Sequence, residues 1–194
     1  MPTYVAFLRA INLGPTRQFP KASIKAATEA AGATDVETYI NTGNVRLTTS
    51  LRSRAKLEAA LEKAYAADRG FDVPTIVFTV AELKQIAQDA EVIAAHVDLE
   101  PPTGPSTGPQ TGPPIERRHY VSLLKDEPTT ESAALIETLS TDQDRAIVKG
   151  RAVHLLLQTA YHSTPLGNAH VEKVLGVATN RNLTVVRALA TRWG

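Results

Sequence analysis

The sequence predicts an α+β fold built from two similar halves, and three observations lead to that prediction. Residues 1–100 alternate short runs of β-forming residues with segments whose apolar positions recur at helical spacing. Residues 101–114 break this pattern with a tract rich in Thr, Gly and Pro, and residues 115–194 then repeat much of it. We therefore expect two related domains joined by a linker, with their sheets packed side by side.

The composition is that of an ordinary globular protein. The chain has 194 residues, 43% of them hydrophobic and 21% charged, and its net charge is +1 with histidine neutral, so no global charge indicates a nucleic-acid or membrane partner. The absence of cysteine excludes disulfides, thiolate nucleophiles and cysteine-bound zinc. The N-terminus enters a strand pattern without a leader, and no apolar run reaches the ~20 residues that span a bilayer, so we expect a soluble, cytoplasmic protein.

The first half contains four predicted strands and three predicted helices. The strands are rich in β-branched and aromatic residues and lie at residues 4–8, 36–40, 45–49 and 74–80. The helices have one apolar face each and lie at residues 20–31, 51–70 and 81–89. Ser50 is expected to cap the second helix, and Gly32 and Gly70 to follow the ends of the first two. The order β-α-β-β-α-β is that of the split-βαβ, or ferredoxin-like, fold.

The second half is predicted as a variant of the first. Its strands are expected at residues 120–124, 145–148 and 153–157, and its helices at residues 131–139, 171–175 and 182–192. Thr-Gly-Pro recurs every four residues in the intervening tract, which cannot bury apolar surface and is therefore expected to be a flexible linker. The predicted domains are thus residues 1–100 and 115–194, separated by the linker at residues 101–114.

The most distinctive polar stretch is the predicted hairpin turn at residues 39–45, with the sequence YINTGNV. Its tip carries two amides and a hydroxyl, and Gly43 would let the backbone approach a ligand or take a left-handed conformation. The alternative interpretation is an ordinary hairpin turn with no ligand.

Three motifs resemble the bacterial domain-of-unknown-function family 1697 (DUF1697). They are YVAFLRAINLG at residues 4–14, YINTGNV at residues 39–45 and TNRNLTVV at residues 179–186, the last resembling the family's Thr-x-Arg-Asn-Trp-x-Thr-Val box. The resemblance implies a fold of two ferredoxin-like halves, and it implies no established activity.

This chain departs from the family pattern at several positions. Pro15 stands where the family usually has the second glycine of a pair, Thr42 replaces a serine, and Leu183 replaces the tryptophan. In the segment that resembles Ser-Lys-Leu-x-Asn, Pro165 replaces the lysine. The loss of a cation and an aromatic weakens any anion or base-stacking site that the family would imply.

Polar residues at the ends of predicted elements form a candidate site for a small anionic ligand. Arg9 and Asn12 follow the first strand, and Arg181 and Asn182 are expected at the start of the last helix, where free N–H groups favour an anion. If these ends converge with the hairpin, two guanidinium groups face a phosphate or carboxylate. The candidate ligand-binding residues are Arg9, Asn12, Gly14, Tyr39, Thr42, Gly43, Asn44, Arg181 and Asn182. The alternative is that Asn182 caps its helix while both arginines pair with surface acids.

No catalytic residue, metal or cofactor is predicted, and whether the protein is an enzyme stays open. The histidines show no metal-binding spacing, and His162 and Ser163, as neighbours on a strand, would point to opposite faces. Two other functions are alternatives to the anion site. A weak nucleic-acid-binding module is disfavoured because residues 45–49 lack stacking aromatics, and a structural protein would pair its sheet edges into an oligomer.

Overall fold

The computed structural model describes residues 1–96, 118–159, 161 and 164–194. The predicted linker at residues 101–114 and the His162–Ser163 pair lie outside these ranges. Among the helices in these ranges, none is long and apolar enough to cross a membrane.

Within the described ranges the chain forms eight β-strands and six α-helices. The strands are β1 (Thr3–Leu8), β2 (Thr34–Tyr39), β3 (Asn44–Thr48), β4 (Thr75–Thr79), β5 (His119–Leu124), β6 (Asp144–Lys149), β7 (Ala152–Leu157) and β8 (Ala178–Asn182). The helices are α1 (Lys21–Ala30), α2 (Arg54–Arg69), α3 (Val80–His96), α4 (Thr130–Glu137), α5 (Asn168–Leu175) and α6 (Leu183–Trp193), with a 3₁₀ turn at Pro15–Arg17.

These elements belong to two compact units that repeat one topology. The first unit comprises Met1–Lys84 and Leu189–Gly194, and the second comprises Gln85–Ala188. Their antiparallel sheets have the orders β2-β3-β1-β4 and β6-β7-β5-β8, and each runs β-α-β-β-α-β before a last helix. The predicted α+β fold of two ferredoxin-like halves is therefore confirmed. The domain boundaries proposed from sequence stay a prediction.

The first unit buries one face of its sheet under α1 and α2. Along β1, Tyr4, Ala6 and Leu8 point to that core, where they join Leu57 and Leu61 of α2. The alternation continues on the opposite face, where Val5 and Phe7 are also buried. A central strand that is apolar on both faces explains why residues 4–8 form a continuous apolar run.

The second unit is built in the same way. Leu124, Val153 and Leu155 face a core that includes Ile136 of α4 and Val171 of α5. Helices α4 and α5 contact each other, as α1 and α2 do in the first unit. Each sheet therefore packs one face against two helices that contact each other.

The sequence-based prediction missed β8 and was wrong to place Asn182 in the last helix. Ala178–Asn182 pairs with β5 over five positions, from Leu124 opposite Ala178 to Tyr120 opposite Asn182, and α6 begins at Leu183. Its sequence, Ala-Thr-Asn-Arg-Asn, lacks the apolar alternation of a strand and was therefore not recognised. The second half is thus β-α-β-β-α-β plus a helix, the full topology of the first half and not the predicted β-α-β-β-α-α variant.

Two helix boundaries also differ from the prediction. Helix α2 begins at Arg54, and the hydroxyl of Ser53, not that of Ser50, accepts its N-terminal hydrogen bond from Lys56 N at 3.4 Å. Helix α3 has 17 residues and continues well past residue 89, because its buried positions Leu83, Ile86, Ala90 and Ile93 extend the helical spacing.

Strand β4 lies at the edge of the first sheet, and carboxylates cover its outward donors. Thr75 N donates to Glu62 Oε1 at 2.8 Å, Val77 N to Glu58 Oε1 at 2.9 Å and Thr79 N to Glu82 Oε2 at 2.7 Å. Glu58 and Glu62 are one turn apart on α2, so a single helix face supplies two of the three acceptors. The edge donors are thus satisfied by side chains instead of by another strand.

Removing the carboxylate of Glu58 should destabilise the protein. Glu58 is only 4% exposed, so Glu58→Ala leaves the Val77 N–H buried without this acceptor, and we expect a loss of about 1–3 kcal/mol in the free energy of unfolding. Glu58→Gln keeps an amide oxygen and should lose less. Urea unfolding compares the two variants, and equal losses would show that the hydrogen bond to Val77 is not the cause.

Candidate functional site

The turn between β2 and β3 is fixed against the end of the central strand. Leu8 N donates to Gly43 O at 2.8 Å. Gly43 has φ +75°, and a Cβ at this position would lie 2.7 Å from Leu8 Cβ and 2.9 Å from Ile11 Cδ1. The sequence suggests that Gly43 lets the backbone approach a ligand. In the structure, the missing Cβ lets the β2–β3 turn pack against Leu8 and Ile11 of the same chain.

Asn44 and Tyr39 stabilise the turn from within the fold. Asn44 is fully buried, and its Nδ2 donates to Tyr39 O at 3.1 Å and to Thr42 Oγ1 at 2.9 Å. The Tyr39 ring packs edge-on against Trp193 with centroids 6.3 Å apart. These contacts give both residues a structural role, whereas Thr42 is exposed.

Asn12 ties the β1–α1 loop to this turn. Its Nδ2 donates to Asn41 O at 2.6 Å, and its Oδ1 accepts from Phe19 N at 2.8 Å. Gly14, also in this loop, is exposed and has φ +75° before the 3₁₀ turn. We call residues 9–17 and 40–43 together the loop cluster. Because Asn12 bonds across it, the two loops form one surface.

Left-handed backbone is concentrated in the loop cluster. Ala10, Asn12 and Ile40 have φ of 57°, 56° and 49°, values that cost a residue with a Cβ roughly 1–2 kcal/mol. Such conformations persist only where surrounding contacts enforce them, and they are frequent at ligand sites. The strain marks the loop cluster as a candidate for function.

Arg17 is the member of the loop cluster that sequence reasoning missed. Its Nε donates to Ala10 O and its Nη2 to Asp72 O, both at 2.6 Å, and its guanidinium lies 4.5 Å from the centroid of the Phe71 ring. In the described part of the chain it forms no ion pair. Its only sequence signal is a basic residue shortly after Gly-Pro, and two of its partners, Phe71 and Asp72, are distant in the chain.

Arg9 adds a second guanidinium to the loop cluster. It directly follows β1, is partly exposed, and its backbone N–H donates to Pro74 O at 2.9 Å. The next residue, Ala10, supplies the carbonyl that accepts from Arg17. The first unit therefore carries two arginines at the end of its central strand.

Arg181 and Asn182 lie in the second unit, on β8. Arg181 is 7% exposed, and its Nη1 donates to Thr179 Oγ1 at 2.9 Å and to Asn180 O at 2.8 Å. Burial lowers the pKa of Arg181 to about 10, which leaves the guanidinium protonated at neutral pH. As neighbours on a strand, the two side chains leave β8 on opposite faces.

Asn182 has the role that the alternative interpretation assigned to it. Its Oδ1 accepts from Thr184 N at 2.8 Å in the first turn of α6, so it caps that helix. The structure thus brings Asn12, Thr42, Gly43 and Asn44 together with Arg9 in the first unit, and it gives most of them contacts that hold the loops in place.

The second unit contains a buried histidine pair that no function prediction used. His119 Nε2 and His154 Nδ1 are 3.2 Å apart, and their rings pack edge-on at 5.4 Å. Burial, His154 and Arg187 lower the pKa of His119 to about 3, against a smaller opposing effect of Glu91. Burial and then Lys149 lower the pKa of His154 to about 4. Both rings are therefore neutral in the folded protein at neutral pH. No cluster of three metal-binding side chains occurs in the described ranges.

Replacing Gly43 should destabilise the protein more than replacing a glycine with the same backbone conformation elsewhere. Gly70 has φ +73° and open space around its Cβ position, so Gly70→Ala measures the conformational cost alone, about 1–2 kcal/mol. Gly43→Ala adds the clash with Leu8 and Ile11, and we expect about 1–3 kcal/mol more. Urea unfolding measures both, and equal losses would contradict the close approach.

Mild acid should destabilise the protein through His119 and His154. Their folded pKa values lie below the ordinary 6.5, so their contribution to stability is complete above pH 6.5 and is lost as the pH falls below it. The free energy of unfolding should fall by up to about 1.4 kcal/mol per pH unit for each histidine. Urea unfolding between about pH 7 and about pH 5 measures this slope above the range where ordinary carboxyl groups titrate.

His154→Leu tests this pH dependence of the free energy of unfolding, and His170→Gln is its control. His154→Leu should reduce the slope, whereas His170→Gln, at an exposed position on α5, should leave it unchanged. An unchanged slope in His154→Leu would show that the buried pair does not control the acid response.

Comparison with known proteins assigns the chain to a family. The conserved bacterial protein SP0830 from Streptococcus pneumoniae has a similar structure, with a TM-score of 0.65 and 20% sequence identity over 99% of this chain and 98% of that chain. At this identity the likeness shows the fold alone, and no curated protein matches the sequence. The family model described as "Protein of unknown function (DUF1697)" matches residues 1–101, more than half of the chain. The chain therefore belongs to the DUF1697 family.

Proposed function

We propose that the loop cluster of the first unit binds a small molecule through an anionic group, a phosphate or a carboxylate. The observation that carries the proposal is the guanidinium of Arg17, which is held by two backbone carbonyls and an aromatic ring and forms no ion pair in the described ranges. A positive charge positioned by neutral groups keeps its attraction for an anion.

Arg9 and the fixed backbone support the same proposal. Two guanidinium groups at one end of a sheet raise the local positive potential. The loops around them are held by the bonds of Asn12 to Asn41 and of Leu8 to Gly43, so a ligand would not have to order them. The hydroxyl of exposed Thr42 lies in the same cluster. Arginine, amide and hydroxyl side chains are suited to binding an anionic group and to stabilising its negative charge.

This proposal replaces Arg181 by Arg17 as the second cation of the site predicted from sequence. Arg17 and Arg9 belong to one unit and to one pair of connected loops, whereas Arg181 is a buried strand residue of the other unit. The edge-pairing alternative has less support, because the outward donors of β4 already bond to carboxylates.

The affinity for simple anions tests the proposal. Calorimetric titration and thermal shift with inorganic phosphate, pyrophosphate and citrate should show saturable binding to the wild-type chain. Because a charge-assisted hydrogen bond contributes about 1.5–3 kcal/mol, Arg9→Ala and Arg17→Ala should each weaken binding about 10- to 100-fold.

Two further variants separate charge from loop structure. Arg17→Lys keeps the charge without the fork that bonds two carbonyls, and it should retain more affinity than Arg17→Ala. Arg52→Ala removes an exposed arginine near Tyr4, at the opposite end of β1, and should leave affinity unchanged. The proposal fails if no anion binds or if Arg52→Ala weakens binding as much as Arg9→Ala. Tighter, steeply salt-dependent binding of a single-stranded oligonucleotide would favour the nucleic-acid alternative instead.

A further inference from the structure

Two exposed apolar side chains lie in the loop cluster beside its polar groups. Leu13 is 65% exposed and Ile40 is 38% exposed. Apart from Met1, they are the only exposed large apolar side chains among the described residues of the first unit. Single exposed apolar residues are common on protein surfaces, whereas several of them together, rimmed by polar residues, indicate a binding surface.

One hydrogen bond joins the two segments that carry these side chains. Asn12 Nδ2 donates to Asn41 O at 2.6 Å, and Leu13 and Ile40 are the chain neighbours of those two residues. The segment of Leu13 is itself closed, because Asn12 N donates to Arg17 O at 2.7 Å. The loop cluster thus carries both apolar residues on one connected surface, with Leu13 in the same closed loop as Arg17.

Neither turn geometry nor core packing explains an isoleucine at position 40. Its φ of 49° lies in the left-handed region, which a β-branched residue adopts at a cost and which asparagine or glycine adopts more readily. Its side chain is also exposed, so the core gains little from it. Asparagine would serve the turn better, and contact with an apolar ligand is a role that this side chain can fill.

The cations of the loop cluster lie within reach of the same ligand. The turn that carries Ile40 precedes β3, whereas Arg17 bonds to Ala10 O after β1 and to Asp72 O before β4. Strands β3 and β4 flank β1 in the sheet, so the two side chains start about one to two strand spacings apart, or about 5–10 Å. Arg9 directly follows β1. An elongated small molecule would reach both kinds of side chain.

We propose that the ligand of the loop cluster is an organic acid whose anionic group is attached to an apolar chain or ring. This inference rests on the proposed function, since it takes the anion site of Arg9 and Arg17 as given. The anionic group pairs with the guanidinium groups, and the apolar part covers Leu13 and Ile40. Inorganic phosphate, which has no apolar part, uses the arginines alone.

A lipid bilayer is the other partner that combines negative charge with apolar groups. A segment that lies in a bilayer surface presents a broad apolar face, usually along an amphipathic helix. Here Leu13 and Ile40 are flanked by exposed Asn12, Asn41 and Thr42. A single molecule fits this narrow apolar surface better than a bilayer does.

The affinity for carboxylates of increasing length tests the inference. Calorimetric titration of the full chain with acetate, butyrate, hexanoate and octanoate should show affinity rising about 2- to 4-fold for each added methylene, because its burial is favourable. Hexanol, which lacks the charge, should bind about 10- to 100-fold more weakly than hexanoate. Inorganic phosphate provides the reference for the anion site alone.

Two variants remove the apolar side chains without changing the arginines. Leu13→Ser and Ile40→Asn should each reduce the gain per methylene and leave the affinity for inorganic phosphate unchanged. Asparagine suits the left-handed backbone at position 40, so Ile40→Asn should melt no lower than wild type. Leu135→Ser, at an exposed apolar position of α4, is the matched control and should bind octanoate as wild type does.

The outcomes separate this inference from the proposed function. If phosphate binds but affinity does not rise with chain length, or if both variants keep the wild-type rise, the inference is wrong and the anion site stands. If neither phosphate nor any carboxylate binds, the proposed function fails and the inference fails with it. Sedimentation of the chain with vesicles of equal parts phosphatidylcholine and phosphatidylglycerol, lost in both variants, would assign the surface to a membrane and overturn the inference.

Discussion

The hydrogen bond from Leu8 N to Gly43 O is the contact on which the candidate site depends. It brings the β2–β3 turn so close to the end of β1 that no Cβ fits at position 43. Once the turn is held there, Asn12 can reach Asn41 O, and Arg17 can span Ala10 O and Asp72 O. The left-handed backbone at Ala10 and Ile40 is then enforced by neighbours, which is the condition under which strained conformations persist.

In the second unit the end of the central strand also bonds to a hairpin turn, but a different residue lies at the contact. Leu124 N donates to Arg151 O at 2.9 Å, as Leu8 N does to Gly43 O, but its hairpin turn is shorter. Arg151 is buried, and its Nη1 donates to Leu124 O at 3.1 Å and to Lys125 O at 2.9 Å. A guanidinium of the unit itself thus occupies the end of its central strand. In the first unit this position is a glycine beside a longer turn, which supports placing the ligand site there.

Both units also solve the problem of open sheet edges with side chains. Glu62 covers Thr75 N in the first unit, and Glu172 covers Ala178 N in the second, at equivalent ends of β4 and β8. An antiparallel sheet of four strands always leaves two edges, and unsatisfied N–H groups there either cost free energy or recruit another chain. Carboxylates on the covering helices are a local solution, and they link the placement of α2 and α5 to the sheets beneath them.

The sequence by itself determined the order of the elements in the first half, the hairpin at residues 39–45 and the ferredoxin-like topology, because strand alternation, helical spacing and turn residues are properties of neighbouring positions. Only the tertiary structure decided that Ala178–Asn182 is a strand, since its polar residues become a strand by pairing with β5. It also decided that Asn44 and Gly43 hold the turn, that Arg17 bonds to Ala10 O in the loop cluster, and that Arg181 is buried in the second unit. Those roles come from contacts such as Arg17 to Asp72, 55 positions apart, and no local pattern encodes a partner at that distance.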